Sequence, residues 1–326
     1  MLYVQFTLCA LMIVFSGWYL SFYADIIAEK TKLGRGFIGL ILLSAVTSLP
    51  ELITSISAVV IRHAPDLSLG NIMGSNMFNV FIIAFLEILI IRKPFLYSIS
   101  KENMTYIGFM ILATMSAVMA MLGFDVSVWN ISIFSLIIGG LYLSAMYAGY
   151  RNIEKSETAE EAPPQYVSKK LSTAFLMFLI LGAVIVVTGS YATVLADKIA
   201  LATNLGRTFV GGLLLAAMTS LPEVITSISS ARLGAYDMIV GNILGSNLFN
   251  LGIIVIADLL YRDGSVFADP KGNQVIPALF SIILVSLMIF GIMRKKPARG
   301  KFKVHMETFF ILGLYLIGLW LMYIRR

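Results

Sequence analysis

Two glutamates, Glu51 and Glu223, occupy near-identical surroundings inside otherwise apolar stretches, "TSLPELITSIS" at 47–57 and "TSLPEVITSIS" at 219–229. Thr47 lies four residues before Glu51, so the two share a helix face, as do Thr219 and Glu223. The intervening Pro50 removes an amide donor and clashes with the carbonyl about one turn earlier, which predicts freed backbone oxygens near Val46 and Thr47. Such oxygens are costly in lipid unless they line a cavity or find a partner, and a cation is such a partner. A second repeated motif, "GNIMGSNMFN" at 70–79 and "GNILGSNLFN" at 241–250, sets Ser75 with Asn79 and Ser246 with Asn250 at the same four-residue spacing. Each half therefore offers a carboxylate, hydroxyls, an amide oxygen and freed carbonyls. This all-oxygen set suits hard cations such as calcium or sodium rather than zinc or copper.

The charge balance points the same way. No lysine, arginine or histidine lies in the four motifs to offset the glutamates. An uncompensated carboxylate at the middle of a membrane costs several kcal/mol by any scale. One divalent cation, two or more monovalent cations, or protons would neutralise the pair. A purely structural alternative, permanently protonated glutamates bonded to the hydroxyls, does not account for their pairing across a repeat.

The elements that must hold these residues are membrane helices. Of the 326 residues 59% are hydrophobic and 13% charged, with a mean hydropathy of +0.89, where a soluble domain carries about a quarter charged residues. The apolar material comes in blocks of roughly 20 residues or more, enough to cross a hydrocarbon core. The fold class expected is an all-α polytopic membrane protein. The first block, 2–23, lacks a basic leader and a small-residue cleavage site, and reads as a retained helix rather than a signal peptide. The single Cys9 excludes an intramolecular disulfide and a cysteine-rich metal site. His63 and His305 flank apolar blocks and read as solvated residues.

Ten helices are expected, starting near residues 2, 36, 67, 103, 127, 171, 208, 237, 274 and 305. The long polar interruption at 150–170, "YRNIEKSETAEEAPPQYVSKK", reads as a linker between two halves. The halves are 1–150, with its motif block at 33–79, and 171–326, with its block at 205–250, joined by 151–170. "LGRGFIGLILLSAVTSLPELITSIS" at 33–57 aligns with "LGRTFVGGLLLAAMTSLPEVITSIS" at 205–229. The offset is 172 residues there and 171 across the second motif, so the halves are duplicates. Five helices is an odd number, so the second copy enters the membrane from the opposite side. Inverted repeats with broken helices, here 2 and 7, point to a transporter whose substrate site lies where the repeats meet. Gly70, Gly74, Gly241 and Gly245 fit close helix approach.

Lysine and arginine set the orientation. With the N-terminus outside, 17 of the 24 basic residues fall in inner loops, so both termini are expected outside and the linker inside. The net charge of +6 is then largely this bias, with no call for nucleic acid. Glu87 and Asp258 correspond between halves near Arg92 and Arg262 and read as interfacial ion pairs or snorkelling groups. Asp66 and Asp237 read as helix N-caps. Trp18, Trp129 and Trp320 read as interface anchors or packing residues.

On these motifs the sequence resembles the cation/calcium antiporter superfamily, and within it the sodium/calcium exchanger branch. The resemblance spans the whole chain: ten helices, a central cytoplasmic loop and two inverted repeats, with "TSLPE" and "GNxxGSNxFN" each twice in the expected order. It implies that Glu51 and Glu223 are the central calcium ligands. It further implies flanking sodium sites built from Thr47, Ser48, Thr219, Ser220, Ser75 and Ser246 with carbonyls near Ser44 and Ala216. The mechanism implied is alternating access, in which typical members move three sodium ions inward for one calcium outward.

Val46 and Met218 stand where many exchangers have glycine, which bears on how far the backbone unwinds. Asn79 and Asn250 stand where potassium-dependent relatives commonly carry aspartate, which argues against potassium coupling. Proton-coupled calcium exchangers usually show "GNxxE" around the glutamate instead. The short loop leaves no room for a large regulatory domain.

The expected partners are calcium and sodium ions and the lipid bilayer of a prokaryotic cell membrane, with no cofactor, no nucleic acid and no protein partner. A calcium/proton antiporter with the same glutamate pair is the alternative. A passive cation channel would use similar oxygen ligands, but the inverted two-fold plan and the lack of a filter-like loop disfavour it. A membrane-embedded enzyme is disfavoured further, because neither motif holds a nucleophile–histidine pair. The orientation is testable. A cysteine at position 156, in a Cys9→Ser background, should resist impermeant maleimide in right-side-out vesicles and react after inversion. Labelling from outside would reverse the topology.

Overall fold

The computed structural model describes residues 1–91, 95, 99–100, 102–156, 165–202, 218–268, 274–293 and 306–324. It is almost wholly helical, with α1 Leu2–Thr31, α2 Arg35–Thr47, α3 Leu49–Val60, α4 Pro65–Ile91, α5 Asn103–Phe124 and α6 Ile133–Ser156 in the first half, the last of them running on into the segment expected as the linker. After it come α7 Leu171–Ala202, α8 Leu221–Arg232, α9 Tyr236–Leu260, α10 Val275–Met293 and α11 Met306–Ile324. Eight of these are long and apolar enough to cross a membrane. The pair α2 and α3, bent by 43° at Ser48, makes a ninth, broken span. The expected helix starting near 208 falls on 203–217, outside the described residues, as does Ala216. Among the described residues there are thus eight spans, or nine with the bent pair counted as one, and the expected count of ten is not reached there.

The fifth span begins at Ile133 rather than near 127. Trp129 and Asn130 both take positive φ, 52° and 65°, as a two-residue hairpin turn requires. The flanking residues pair as two short antiparallel strands, Ser127 with Ser132 and Val128 with Ile131. Asp258 explains why this hairpin stays put. It is buried, and its carboxylate accepts the N–H groups of Ser132 and Val266, both at 2.8 Å. It is therefore a backbone clamp and not the interfacial ion pair or snorkelling group expected from sequence. Glu87 is likewise buried, accepting the Thr308 hydroxyl at 2.9 Å and tying α4 to α11. Its expected neighbour Arg92 lies outside the described residues. Asp66 and Asp237 are not N-caps either. The caps are Ala64 and Ala235, and both carboxylates sit inside the first turn, where the helix dipole favours them.

α4 and α9 are the innermost spans, with 56% and 67% of their apolar stretch buried, against 22% for the peripheral α6 and α11. α9 lies against α2 through glycines. A Cβ on Gly241 would stand 2.2 Å from the Gly36 carbonyl oxygen, and one on Gly245 2.2 Å from that of Leu40. Gly39 faces back the same way, 2.5 Å from the Met238 oxygen. This is the close approach that small residues permit between membrane helices, and α2 widens into a π-turn at Gly39–Leu43 where it occurs. α1 runs along α7. Its end is tied down by Asp25, fully buried, which accepts Arg35 Nε at 2.6 Å, Arg35 Nη2 at 3.1 Å and the Tyr166 hydroxyl at 2.8 Å. Burial, and then the bond to Asp25, push the Tyr166 hydroxyl pKa well up, so it remains a donor at any physiological pH. His63, read from sequence as merely solvated, pairs with Asp263 at 2.6 Å on the exposed surface.

Because a backbone oxygen blocks any side chain at Gly245, Gly245→Ala should lower the thermal midpoint in detergent, at a cost of about 1–3 kcal/mol. Gly252→Ala, whose Cβ would meet Tyr142 at an ordinary 3.6 Å, should leave the midpoint near wild type. Equal midpoints for the two variants would contradict the packing described.

Candidate functional site

The glutamates are placed by a helix break that occurs twice. Ser48 takes φ −92°, ψ 3° and Ser220 takes φ −91°, ψ 4°, near-identical non-helical turns just before α3 and α8. Pro50 and Pro222 then fall in the first turn of the new helix, where a missing N–H is no loss. The proline thus opens the second piece of a broken helix, in line with the broken helix expected from sequence. Glu51 and Glu223 follow in that same turn, so the positive end of each helix dipole supports a carboxylate that no basic side chain accompanies.

The two halves meet reciprocally. Ser48 Oγ donates to Glu223 Oε1 at 3.2 Å, and Ser220 Oγ donates to Glu51 Oε1 at 3.5 Å. Ser246 Oγ also reaches Glu223 Oε1 at 3.2 Å, and Ser220 Oγ reaches Ser75 Oγ at 3.4 Å. Thr47 Oγ1 lies 3.3 Å from Ser246 Oγ, 3.4 Å from Asn242 Oδ1 and 3.3 Å from the Ser44 carbonyl. Glu51, Glu223, Thr47, Thr219, Ser48, Ser220, Ser75, Ser246 and Asn250 are fully buried, and Ser44 and Asn79 nearly so. Every described residue expected from sequence to ligate a cation thus lies in the interior, and hydrogen bonds tie Thr47, Ser48, Ser220, Ser75 and Ser246 to one another or to the glutamates. The Ser44 carbonyl already accepts the Ser48 N–H at 3.0 Å as well as the Thr47 hydroxyl, which makes it the least available oxygen of the set.

The contacts to the carboxylates are loose. A hydroxyl bonded to an ionised carboxylate sits at roughly 2.5–2.7 Å, well inside the 3.2–3.5 Å seen here. Moreover Glu51 Oε2, Glu223 Oε2, Asn79 Oδ1 and Asn250 Oδ1 are buried without any hydrogen-bond partner. Each of the four motif copies contributes such a carboxylate or amide oxygen, and Ser55, Ser227 and Asn71 of the same motifs are also buried with side-chain polar atoms unpartnered. An unsatisfied buried acceptor costs on the order of 1–3 kcal/mol, more when charged. The carboxylate and amide oxygens among them, with no Lys, Arg or His in the motifs that supply them, are acceptors of the kind a hard cation takes. Among the described residues no cluster of three or more His, Cys, Asp or Glu exists, so the charge on offer is that of the two glutamates.

Sequence reasoning passed over Asn242, Thr226, Asn76 and Asn247. Asn242 Nδ2 donates to Thr226 Oγ1 at 3.1 Å and its oxygen faces Thr47. The repeated "GN" and "GSN" segments were the available signal. Only the four-residue spacing from serine to the last asparagine was used.

The profile for the family described as sodium/calcium exchanger protein matches residues 1–151 and 173–325, nearly the whole chain. The chain belongs to the sodium/calcium exchanger family. A membrane protein of Methanocaldococcus jannaschii, MJ0091, is 29% identical over 81% of this chain and 82% of its own length. The inner membrane protein YrbG of Escherichia coli is 28% identical over 89% and 88%. The solved sodium–calcium exchanger NCX_Mj, soaked with sodium and without calcium, superposes with a TM-score of 0.70 at 23% identity, covering 98% of both chains, which shows a shared fold. As a member of the exchanger family this chain is an integral membrane cation/calcium antiporter and not an enzyme.

For an exchanger built this way, Glu51→Gln or Glu223→Gln removes one uncompensated charge. Without calcium either variant should melt at or above the wild-type midpoint. Calcium at about a hundredfold over its Kd should stabilise the wild type by about 2.7 kcal/mol and neither variant appreciably. A fall in the calcium-free midpoint with the calcium response intact would remove the glutamates from the site.

Proposed function

We propose that this protein exchanges sodium for calcium across a prokaryotic cell membrane by alternating access, sodium entering and calcium leaving. The observation that carries the reading is that every motif copy buries a carboxylate or amide oxygen with no hydrogen-bond partner. Calcium would be held between Glu51 and Glu223, whose charge it balances, with Asn79 and Asn250 supplying neutral oxygens. Sodium would use the neutral oxygens flanking the glutamates: Thr47, Ser48, Ser246 and the Ser44 carbonyl on one side, Thr219, Ser220, Ser75 and the Ala216 carbonyl on the other.

Sodium rather than proton coupling is favoured by the cluster in which Thr47 Oγ1 lies within 3.3–3.4 Å of Ser246 Oγ, Asn242 Oδ1 and the Ser44 carbonyl. A proton carrier needs the carboxylates alone, whereas neutral oxygens gathered around one point serve an alkali ion. The proposed frame is two inverted five-helix halves, 1–150 and 171–326, joined by a cytoplasmic linker at 151–170, with both termini outside. The reciprocity of the Ser48–Glu223 and Ser220–Glu51 contacts supports it.

The deciding experiment is radioactive calcium uptake into proteoliposomes preloaded with sodium, against vesicles preloaded with potassium or carrying only a proton gradient. Uptake should need internal sodium, vanish with a sodium ionophore and be abolished in Glu51→Gln and Glu223→Gln. Uptake driven by the proton gradient alone would replace sodium with protons as the driving ion.

A further inference from the structure

Where α4 crosses α9, Asn76 and Asn247 close a hydrogen-bonded ring between the halves, and Asn79 and Asn250 each donate into it. Asn76 Nδ2 donates to the Asn247 backbone oxygen at 3.2 Å, and Asn247 Nδ2 donates to that of Asn76 at 3.2 Å. Asn79 Nδ2 donates to Asn247 Oδ1 at 2.9 Å, and Asn250 Nδ2 donates to Asn76 Oδ1 at 3.0 Å. None of the four is more than 1% exposed.

The ring admits one arrangement of its amides. A backbone carbonyl can only accept, so the atom that Asn76 or Asn247 turns toward it must be the nitrogen. The oxygen of that same amide then faces the other way and requires a donor. Asn79 and Asn250 must therefore turn their nitrogens into the ring, and their oxygens out of it. Those outward oxygens are the two that lack any partner. The two ends of an amide are nearly equal in shape and opposite in polarity. Left free, Asn250 would present an NH₂ group to a cation as readily as an oxygen, and an NH₂ group repels it.

We propose that Asn76 and Asn247 are positioning residues for transport: they hold Asn79 and Asn250 with the amide oxygens turned toward the cation. This rests on the cation-site reading above, because it assigns those oxygens an ion to face. Asn76 and Asn247 act through the neighbouring amide, their own oxygens being taken up within the ring. The first half orients the ligand of the second, and the second that of the first.

The test is the calcium concentration giving half-maximal sodium-driven uptake. Asn76→Ala deprives Asn250 of its acceptor and should raise that concentration about tenfold or more, the scale of one hydrogen bond to a charged group, with a smaller change in maximal rate. In an Asn250→Asp background both outer atoms are oxygens, so there is no orientation left to lose. A carboxylate at 250 also repels Asn76 Oδ1, so adding Asn76→Ala there should change the value by less than about twofold, or lower it. The same loss in both backgrounds would mean a packing role and overturn the proposal, as would wild-type affinity in Asn76→Ala. Should Asn76→Ala not fold, the mirrored pair, Asn247→Ala with and without Asn79→Asp, puts the same question. Asn79→Leu and Asn250→Leu check the reading beneath. Wild-type affinity in both would remove the amide oxygens from the site, whatever the ring does.

Discussion

Two carboxylates buried in a membrane interior with no basic side chain beside them set the terms for everything else in this structure. Each costs several kcal/mol to desolvate, and as like charges they gain nothing from each other. The protein gives them partial relief. Each sits in the first turn of a helix, where the dipole contributes on the order of 1 kcal/mol, and each accepts one or two hydroxyls at long range. That is less than an ionised carboxylate obtains from water. In the proposed function that deficit is what gives a cation its affinity, and it has to be maintained by the rest of the fold.

Maintaining it demands a backbone that stops and restarts inside the membrane. A continuous helix would bond the N–H groups around Glu51 internally and leave no dipole end there. The break at Ser48 exposes one, and its duplicate at Ser220 does the same for Glu223. A broken helix leaves backbone polar groups that lipid cannot satisfy, so the break must be enclosed by protein. The glycine contact supplies part of that enclosure. With Gly241 and Gly245 against the carbonyl oxygens of Gly36 and Leu40, α2 lies close enough for Thr47 to reach Ser246 and Asn242. The helix break and the glycine notch are thus one device: the first opens the site, and the second keeps lipid out of it.

The paired glutamates, the repeat and the spans were legible because each leaves a periodic or charge-based trace in the sequence. What failed to show was any feature whose cause lies in another helix. Asp258 and Glu87 read as membrane-edge charges from their distance along the helix, yet one clamps a hairpin and the other bonds α11. The start of α6 moved because Trp129 and Asn130 adopt a turn that apolar content alone does not reveal. Thr47, Thr219, Ser75, Ser246 and the last asparagines were found by four-residue spacing within a helix, whereas Ser48 and Ser220 came only from the family resemblance. Asn76 and Asn247 were not found, because their partners lie across the repeat. Asp25 was missed for the same reason, its partners being ten and 141 residues away.

The network is not equally symmetric throughout, and the difference falls along functional lines. The amide ring obeys the two-fold to within 0.1 Å in its matched bonds. Outside it the copies diverge. Asn242 links Thr47 to Thr226, whereas its counterpart Asn71 has neither amide atom hydrogen-bonded although it too is buried. Near-identical sequences therefore hold two different arrangements at once, one on each side of a shared centre. For two inverted copies, exchanging those arrangements would turn the site toward the opposite face at little net cost, because each half takes up a geometry the other has just left. In the proposed cycle the asparagine ring is the part that need not change, and a fixed set of cation-facing oxygens at the centre is what lets the flanks alternate without releasing the site's selectivity.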